Sequence, residues 1–145
     1  MCMTATTTTD QRDPSKVYGL TMQYSIAPGA EKVGAVWAIS AESGQTTWKH
    51  EERAGAMSLV ATGGGLIFGG DVNGRFRAYD DKTGKTLWEM NLGSPVSGYP
   101  VTFSIGGKQY VAVTTGPSLV ANSSLRVAPE LKPGATPSVF VFALP

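Results

Sequence analysis

Short runs of apolar residues alternate along the chain with Gly, Pro, Asn and Asp. Most runs are five to seven residues long and rich in Val, Ile, Thr and aromatic residues, the composition typical of β-strands. These runs are KVYGLTM, GAVWAIS, TTWKH, MSLVAT, GLIFGG, GRFRAYD, TLWEM, PVTFSI, QYVAVTT and SVFVFAL. No window keeps a helical period of 3.6 residues, because glycines interrupt each candidate helix. The pattern therefore predicts an all-β fold.

Two segments depart from this pattern. Residues 1–16 are polar and Thr-rich, and we expect an extended lead-in there because Thr disfavours helix. Residues 117–137 form a long loop that contains proline. A weak helical tendency lies near Leu125–Leu131, bounded by Pro129 and Pro133.

An internal repeat is the most informative feature. AISAESGQTTWK begins at Ala38, and AYDDKTGKTLWE begins at Ala78. The pairs separated by 40 residues include Ala38/Ala78, Gly44/Gly84 and Trp48/Trp88. A period near 40 with several short strands per unit is what a four-stranded propeller blade requires.

The chemistry of the repeat is structural. We expect Gly44 and Gly84 in tight turns, where a positive φ is accessible to glycine, with Asp80 accepting main-chain N–H bonds. Trp48 and Trp88 fall on the strand that follows each turn, where each could bury its ring and donate its indole N–H to a carbonyl. We interpret both as core residues, and the alternative is that one stacks on a ligand.

Composition excludes several classes of protein. The length of 145 residues fits one domain, and twelve Lys and Arg against eleven Asp and Glu argue against an electrostatic nucleic-acid binder. Cys2 is the single cysteine, which excludes an internal disulfide framework and a metal site built from several cysteines. No run approaches the roughly 18 apolar residues of a membrane span, and the N-terminus does not read as a signal peptide.

Isolated polar residues give no catalytic site. His50 is the single histidine, and we expect it to be solvated because a triad or a zinc site needs further partners. Asp80 and Asp81 are adjacent, so their side chains diverge and do not share a metal; Asp81 is expected at the surface. Gly63–Gly65 precedes a strand and does not open a helix, so it is not a phosphate loop.

The repeat and its surroundings carry a resemblance to a known family. GLIFGGDVNGRFRAYDDKTGKTLW, followed by GSPVSGYPVTFSIGGKQYVAVTTG, resembles the C-terminal part of the pyrroloquinoline-quinone (PQQ)-dependent alcohol dehydrogenases, the quinoproteins. The resemblance covers residues 17–145 and is most specific over residues 65–116. Two repeat units spaced by 40 residues, together with GKQYVAV and a terminal FVFALP, make it specific.

The resemblance implies a partial β-propeller, about two and a half four-stranded blades of an eight-bladed ring. VYGLTM, AVWAIS and TTWKH would be the last three strands of one blade. MSLVAT, LIFGG, RFRAYD and TLWEM would form a complete blade, and PVTFSI, QYVAVTT and VFVFAL the first three strands of a final one. The implied partner is the rest of the propeller, which would supply the strand that closes the ring.

The resemblance also implies cofactors. In the family, PQQ works beside a calcium ion held by carboxylate and amide oxygens, with an aspartate as base. Those ligands belong to earlier blades, and we assign none of them to Asp71, Asp80 or Asp81. The chain is therefore expected to contain no catalytic or metal-ligating residue, and alone to be inactive.

A few residues are expected to line the cofactor cavity. Where alcohol-oxidising members have a Trp-Asn pair before Leu-Ala-Thr-x-Gly-Gly, this chain has Gly55–Ala56, which can neither stack on a quinone nor donate a side-chain hydrogen bond. Met57 and Ser58 are the nearest alternatives. Val96 and Ser97 match a segment whose loop lines the cavity in relatives.

The resemblance predicts the C-terminal segment of a periplasmic dehydrogenase that oxidises an alcohol-like substrate and passes electrons to an acceptor. This chain would give scaffold, ring closure and part of the cavity wall. The alternative is a non-catalytic propeller that recruits protein partners. The two differ in whether preceding sequence encodes the calcium ligands and the base.

Overall fold

The structure is a computed structural model that describes residues 1–10 and 12–143, except for the side chains of Tyr18, Ala56 and Met57. Within these ranges β-strands are the dominant regular structure. The strands are β1 (Cys2–Thr9), β2 (Val17–Ser25), β3 (Gly34–Ile39), β4 (Thr46–Glu52), β5 (Ala56–Ala61), β6 (Leu66–Asp71), β7 (Arg75–Asp80), β8 (Thr86–Asn91), β9 (Val101–Ile105), β10 (Lys108–Thr115) and β11 (Ser138–Ala143). One helix, α1 (Leu119–Arg126), lies between β10 and β11 in the described part.

A complete blade occupies the middle of the chain. Strands β5, β6, β7 and β8 form an antiparallel meander in chain order, as the sequence predicts. The register places Phe68 opposite Ala78, and Ala78 opposite Trp88. Apolar residues of the repeat therefore share one face of this sheet.

The last sheet has the three strands that the sequence predicts. Its order is β11-β10-β9, so β10 is central and β11 lies at an edge as far as the described residues go. The pairing runs from Tyr110 opposite Ala143 to Thr115 opposite Ser138. Leu144, included in the predicted strand, lies outside the described residues.

The first predicted blade is only partly correct. Strands β3 and β4 pair with each other, but β2 pairs with β1 and does not join them. The Thr-rich lead-in is thus a strand with a partner, and its pairing was not predicted. Main-chain bonds between Asp10 and Lys16, and between Lys16 and Asp13, close the short loop of this hairpin. Because a short loop is easily closed, β2 pairs with β1, its neighbour in the chain.

The main core lies between the two C-terminal sheets. Phe68 and Phe76 of the complete blade pack with Val96, Val111 and Val113, all of them buried. Because both sheets turn apolar faces to this layer, they stack as neighbouring blades do.

The predicted long loop contains α1, which begins six residues before the predicted helical tendency at Leu125. The Ser118 hydroxyl accepts a bond from the Ala121 main-chain N–H at 3.1 Å and caps the N-terminus. Ala121, Leu125 and Ala128 then pack with Ala54 and Val72 in a second small core. The helix depends on this packing, which is why its short sequence gives a weak signal.

Candidate functional site

The repeat forms the contact between consecutive blades. The Trp48 indole N–H donates to the Asp81 carbonyl at 2.8 Å, and its ring covers Gly84. A Cβ built on Gly84 would lie 2.5 Å from the Trp48 ring, so a side chain does not fit there. The expected core role of Trp48 is confirmed. Trp88 packs elsewhere, at the main core between the two C-terminal sheets, edge-on to Phe142 with ring centroids 5.2 Å apart.

The turn beside this contact is held by Asp80, as predicted. Its Oδ1 accepts bonds from the main-chain N–H groups of Lys82 and Thr83 and from the Thr83 hydroxyl, at 2.7–3.1 Å. These bonds, those from Thr83 first, lower the pKa of Asp80 below its usual range. The neighbouring Asp81 is exposed, so the structure does not bring the two carboxylates into one site.

The residues predicted to line a cofactor cavity lie at two adjoining segments. The Ser58 hydroxyl is buried and donates to the Gly98 carbonyl at 2.5 Å, which ties the start of β5 to the loop that carries Val96 and Ser97. Val96 is fully buried against Gly70, and Ser97 is half-buried. The side chain of Met57 lies outside the described residues.

An open cleft of about 390 Å³ lies at the end of the interface between consecutive blades. Residues from the end of β4, from the link between β4 and β5, and from the turn between β6 and β7 form its walls. Leu131, beyond α1, adds an apolar residue. Arg53 anchors that segment, because its Nε lies 2.6 Å from Glu130 and its Nη2 donates to the Val127 carbonyl at 3.0 Å.

A cluster of charged and polar side chains forms the floor of this cleft. We call it the charged cluster; it consists of His50, Glu52, Asp71, Arg77, Tyr79 and Glu89. Arg77 is at its centre, with Nη1 2.6 Å from Glu52 Oε1 and 3.1 Å from Asp71 Oδ2. Its Nε donates to Glu89 at 2.5 Å. The cluster thus joins β4 of one blade to β6, β7 and β8 of the next.

His50 belongs to this cluster, so the expectation of a solvated surface histidine is wrong. Its side chain is 30% exposed, and its Nε2 lies 3.5 Å from Glu52 Oε1. The ring also contacts Tyr79, with centroids 5.0 Å apart. Burial lowers the pKa of His50, and the nearby Arg77 guanidinium lowers it further.

The alternation of residues along two strands could have predicted part of the charged cluster. Trp48, His50 and Glu52 alternate along β4 and therefore share one face, as Arg77 and Tyr79 do along β7. Since Trp48 was predicted to be buried, the same face predicts burial of His50 and Glu52. The contact of that face with β7 depends on how two blades dock. Alternation within one strand does not predict this docking.

The described residues contain no group of three or more His, Cys, Asp or Glu side chains placed to hold a metal ion. Asp71, the most buried carboxylate near the cleft, accepts bonds from the main-chain N–H groups of Asn73 and Arg75 at 2.8 and 2.9 Å. Its other oxygen faces Arg77. The chain's own carboxylates therefore do not fit the metal site that the resemblance implies.

Comparison with known proteins supports the propeller-type fold described above. Residues 52–111 match the family model described as glucose/ethanol/alcohol dehydrogenase, β-propeller domain, of the PQQ class. The chain resembles the quinoprotein alcohol dehydrogenases.

Two curated relatives and one solved structure give the extent of the likeness. A quinoprotein ethanol dehydrogenase of Pseudomonas aeruginosa is 38% identical over 87 residues, 59% of this chain and 14% of the relative. Methanol dehydrogenase [cytochrome c] subunit 1 of Paracoccus denitrificans is 39% identical over 100 residues, 67% of this chain and 16% of the relative. A europium-containing methanol dehydrogenase superposes with a TM-score of 0.77 at 29% identity, covering 99% of this chain and 29% of that one.

The chain thus spans a small part of the length of the quinoproteins that it matches. In the described part of the chain no helix is long and apolar enough to cross a membrane.

Proposed function

We propose that this chain forms the closing blades of a PQQ-dependent dehydrogenase that oxidises an alcohol. One observation carries the proposal: Trp48 docks on Gly84 and the Asp81 carbonyl, so the repeat that resembles the quinoproteins builds a real contact between blades. The complete blade with its two incomplete neighbours has the architecture of an arc cut from a larger ring.

Both ends of this arc offer surfaces for further blades. Gly44 occupies the position in the first repeat unit that Gly84 occupies in the second, and a Cβ there would meet nothing within 4 Å. This open position would receive the tryptophan of a preceding blade.

At the other end an apolar groove of about 520 Å³ runs beside β11, lined by Leu87, Trp88, Met90, Phe142 and Ala143 among others. A fourth strand added to β11 would fill this groove and complete the last blade. The proposed occupant is a strand from the rest of the propeller.

The chain is proposed to contribute part of the wall of the cofactor cavity. Met57 and Ser97 are proposed to line the cavity directly, whereas Ser58 and Val96 support the wall, since Ser58 binds the Gly98 carbonyl and Val96 is fully buried. PQQ supplies the chemistry of hydride acceptance when it is bound. The residues of this chain exclude water and fix the loop, and none of them is proposed as base or metal ligand.

The metal in the proposed complete enzyme is calcium or a lanthanide. The resemblance implies calcium, but the superposed methanol dehydrogenase contains europium. Both ions prefer carboxylate oxygens, and the described residues bring no suitable set together. The residues that select calcium or a lanthanide would therefore lie on other blades. A periplasmic location and a separate electron acceptor complete the proposal.

The test is oxidation of short alcohols with dye reduction, using the protein in its longest natural form, PQQ, and either calcium or a lanthanide. We expect turnover that a chelator abolishes, and no turnover from residues 1–145 alone under the same conditions. Turnover by the 145-residue chain would overturn the scaffold role. A long form that neither turns over nor binds PQQ in calorimetry would instead support a non-catalytic propeller.

A further inference from the structure

Three carboxylates compete for one guanidinium in the charged cluster. Glu52, Asp71 and Glu89 all contact Arg77, at distances of 2.6, 3.1 and 2.5 Å. Arg75 adds a cation only at the outer rim, with its Nε 3.9 Å from Glu89. With every acid ionised, the group around Arg77 would therefore hold an excess of negative charge beside the buried side chains of Glu52, Asp71 and Arg77.

The three carboxylates do not share this excess equally. Glu89 has a side chain 41% exposed, so solvent stabilises its charge. Asp71 is buried, but its Oδ1 already accepts two main-chain N–H bonds. Glu52 is 6% exposed, and its described partners are side chains. A proton that relieves the excess charge is therefore held most easily on Glu52.

The surroundings of Glu52 agree with this assignment. Burial first, and the adjoining Asp71 carboxylate next, raise the pKa of Glu52 to about 7 against the opposing effect of Arg77. His50 does not provide a compensating charge, because burial and Arg77 lower its pKa.

We propose that Glu52 is a proton-binding site, and that its carboxylic acid fastens the end of β4 to the next blade. The groups that face it are His50 on its own strand, Asp71 on β6, Arg77 and Tyr79 on β7 and, through Arg77, Glu89 on β8. His50 lies 3.5 Å from Glu52 with its side chain 30% exposed, and both residues line the open cleft, which gives the proton a route to solvent. This assignment does not depend on the proposed enzymatic function.

The direction of the pH effect follows from the raised pKa. Below the ordinary glutamate value of 4.5 the acid is protonated whether or not the blades are docked, and its stabilising contribution is complete. The contribution falls as the pH rises from 4.5 toward 7, and above 7 it is lost because the docked carboxyl ionises as well. Docking of β4 on β7 is thus expected to loosen in mildly alkaline solution.

Infrared difference spectroscopy on the whole protein as it is produced tests the proposal. A protonated carboxylic acid has a carbonyl stretch above the amide band. In the wild-type protein we expect this band at pH 6 and its loss with a midpoint near pH 7. In Glu52→Gln the band should be absent at pH 6 as well as at higher pH. The matched control is Glu51→Gln, which changes the neighbouring exposed carboxylate and should leave the band in place.

Absence of the band from the wild-type protein at pH 6 overturns the proposal, as does its persistence in Glu52→Gln. If Glu52→Gln does not fold, labelling the wild-type glutamate carboxyls with carbon-13 decides. A shift of the band that titrates near pH 7 supports a protonated glutamate, and an unshifted band overturns it.

Discussion

At the scale of single residues, the contact between Trp48 and Gly84 explains why the chain repeats every 40 residues. The ring needs a neighbour without a side chain, and its N–H needs the Asp81 carbonyl in the adjoining turn. In this contact the earlier blade supplies the Trp and the later blade supplies the Gly turn. A buried indole with a satisfied N–H stabilises such an interface both by area and by hydrogen bonding.

Gly84→Ala and Gly44→Ala form a matched pair that isolates this contact. Both glycines have a positive φ, +69° and +68°, so either alanine costs about 1–2 kcal/mol for the left-handed backbone. Only at Gly84 would the new Cβ collide with Trp48, which adds about 1–3 kcal/mol of overpacking. Urea unfolding of the two variants measures the difference. Equal losses would show that Trp48 does not dock on Gly84 in solution.

Trp88→Ala should destabilise the protein more than His50→Ala. Trp88 is half-buried against Phe76 and Phe142, so its removal should cost about 3 kcal/mol, the lower end of the range for a core tryptophan. His50 has fewer apolar contacts and is 30% exposed, so its loss should cost about 1 kcal/mol or less. Chemical denaturation at pH 7.5, where His50 is neutral, compares the two variants. A larger effect at His50 would contradict the account.

Residue spacing predicted the docking tryptophan and the capping Asp80, because both belong to one local unit. It did not predict the charged cluster, whose partners Glu52 and Arg77 are 25 residues apart and meet through the docking of two blades. The same limit explains the incorrect expectation for His50.

At the scale of elements, the strands of the last two sheets agree with the apolar runs, since each pairs with its neighbour in the chain. The hairpin of β1 and β2 was not predicted, because a polar Thr-rich strand buries little and carries no alternating pattern. Helix α1 was placed too late, because its buried positions are the small residues Ala121 and Ser124. Its position depends on a cap and on tertiary packing.

Ser118→Ala should weaken α1 selectively. Loss of the cap costs about 1 kcal/mol, and the helix supports the segment that Arg53 anchors through Val127 and Glu130. We expect faster amide hydrogen exchange over residues 119–128 with little change in β5–β8. The control is Ser123→Ala, whose exposed hydroxyl donates to the Leu119 carbonyl within the helix. Equal exchange in the two variants would show that the Ser118 cap does not stabilise α1.

At the scale of the whole molecule, apolar faces remain exposed on the last sheet. Val101, Ile105, Val139 and Val141 are each more than half exposed. Alternation along β11 turns Phe140 and Phe142 toward the core and the two valines away from it. A strand that is apolar on both faces fits a position between neighbouring blades, and such a surface left open favours association.

The central claim is that residues 1–145 form an arc of a larger propeller, and the free edge of β11 tests it most directly. Amide hydrogen exchange of residues 138–143 should be measured on the 145-residue chain, together with sedimentation over a range of concentrations. We expect the amides that do not bond to β10 to exchange rapidly in the monomer, and the chain to associate as its concentration rises. A compact monomer in which all of these amides are strongly protected would contradict the account, because the chain would then close its own sheet.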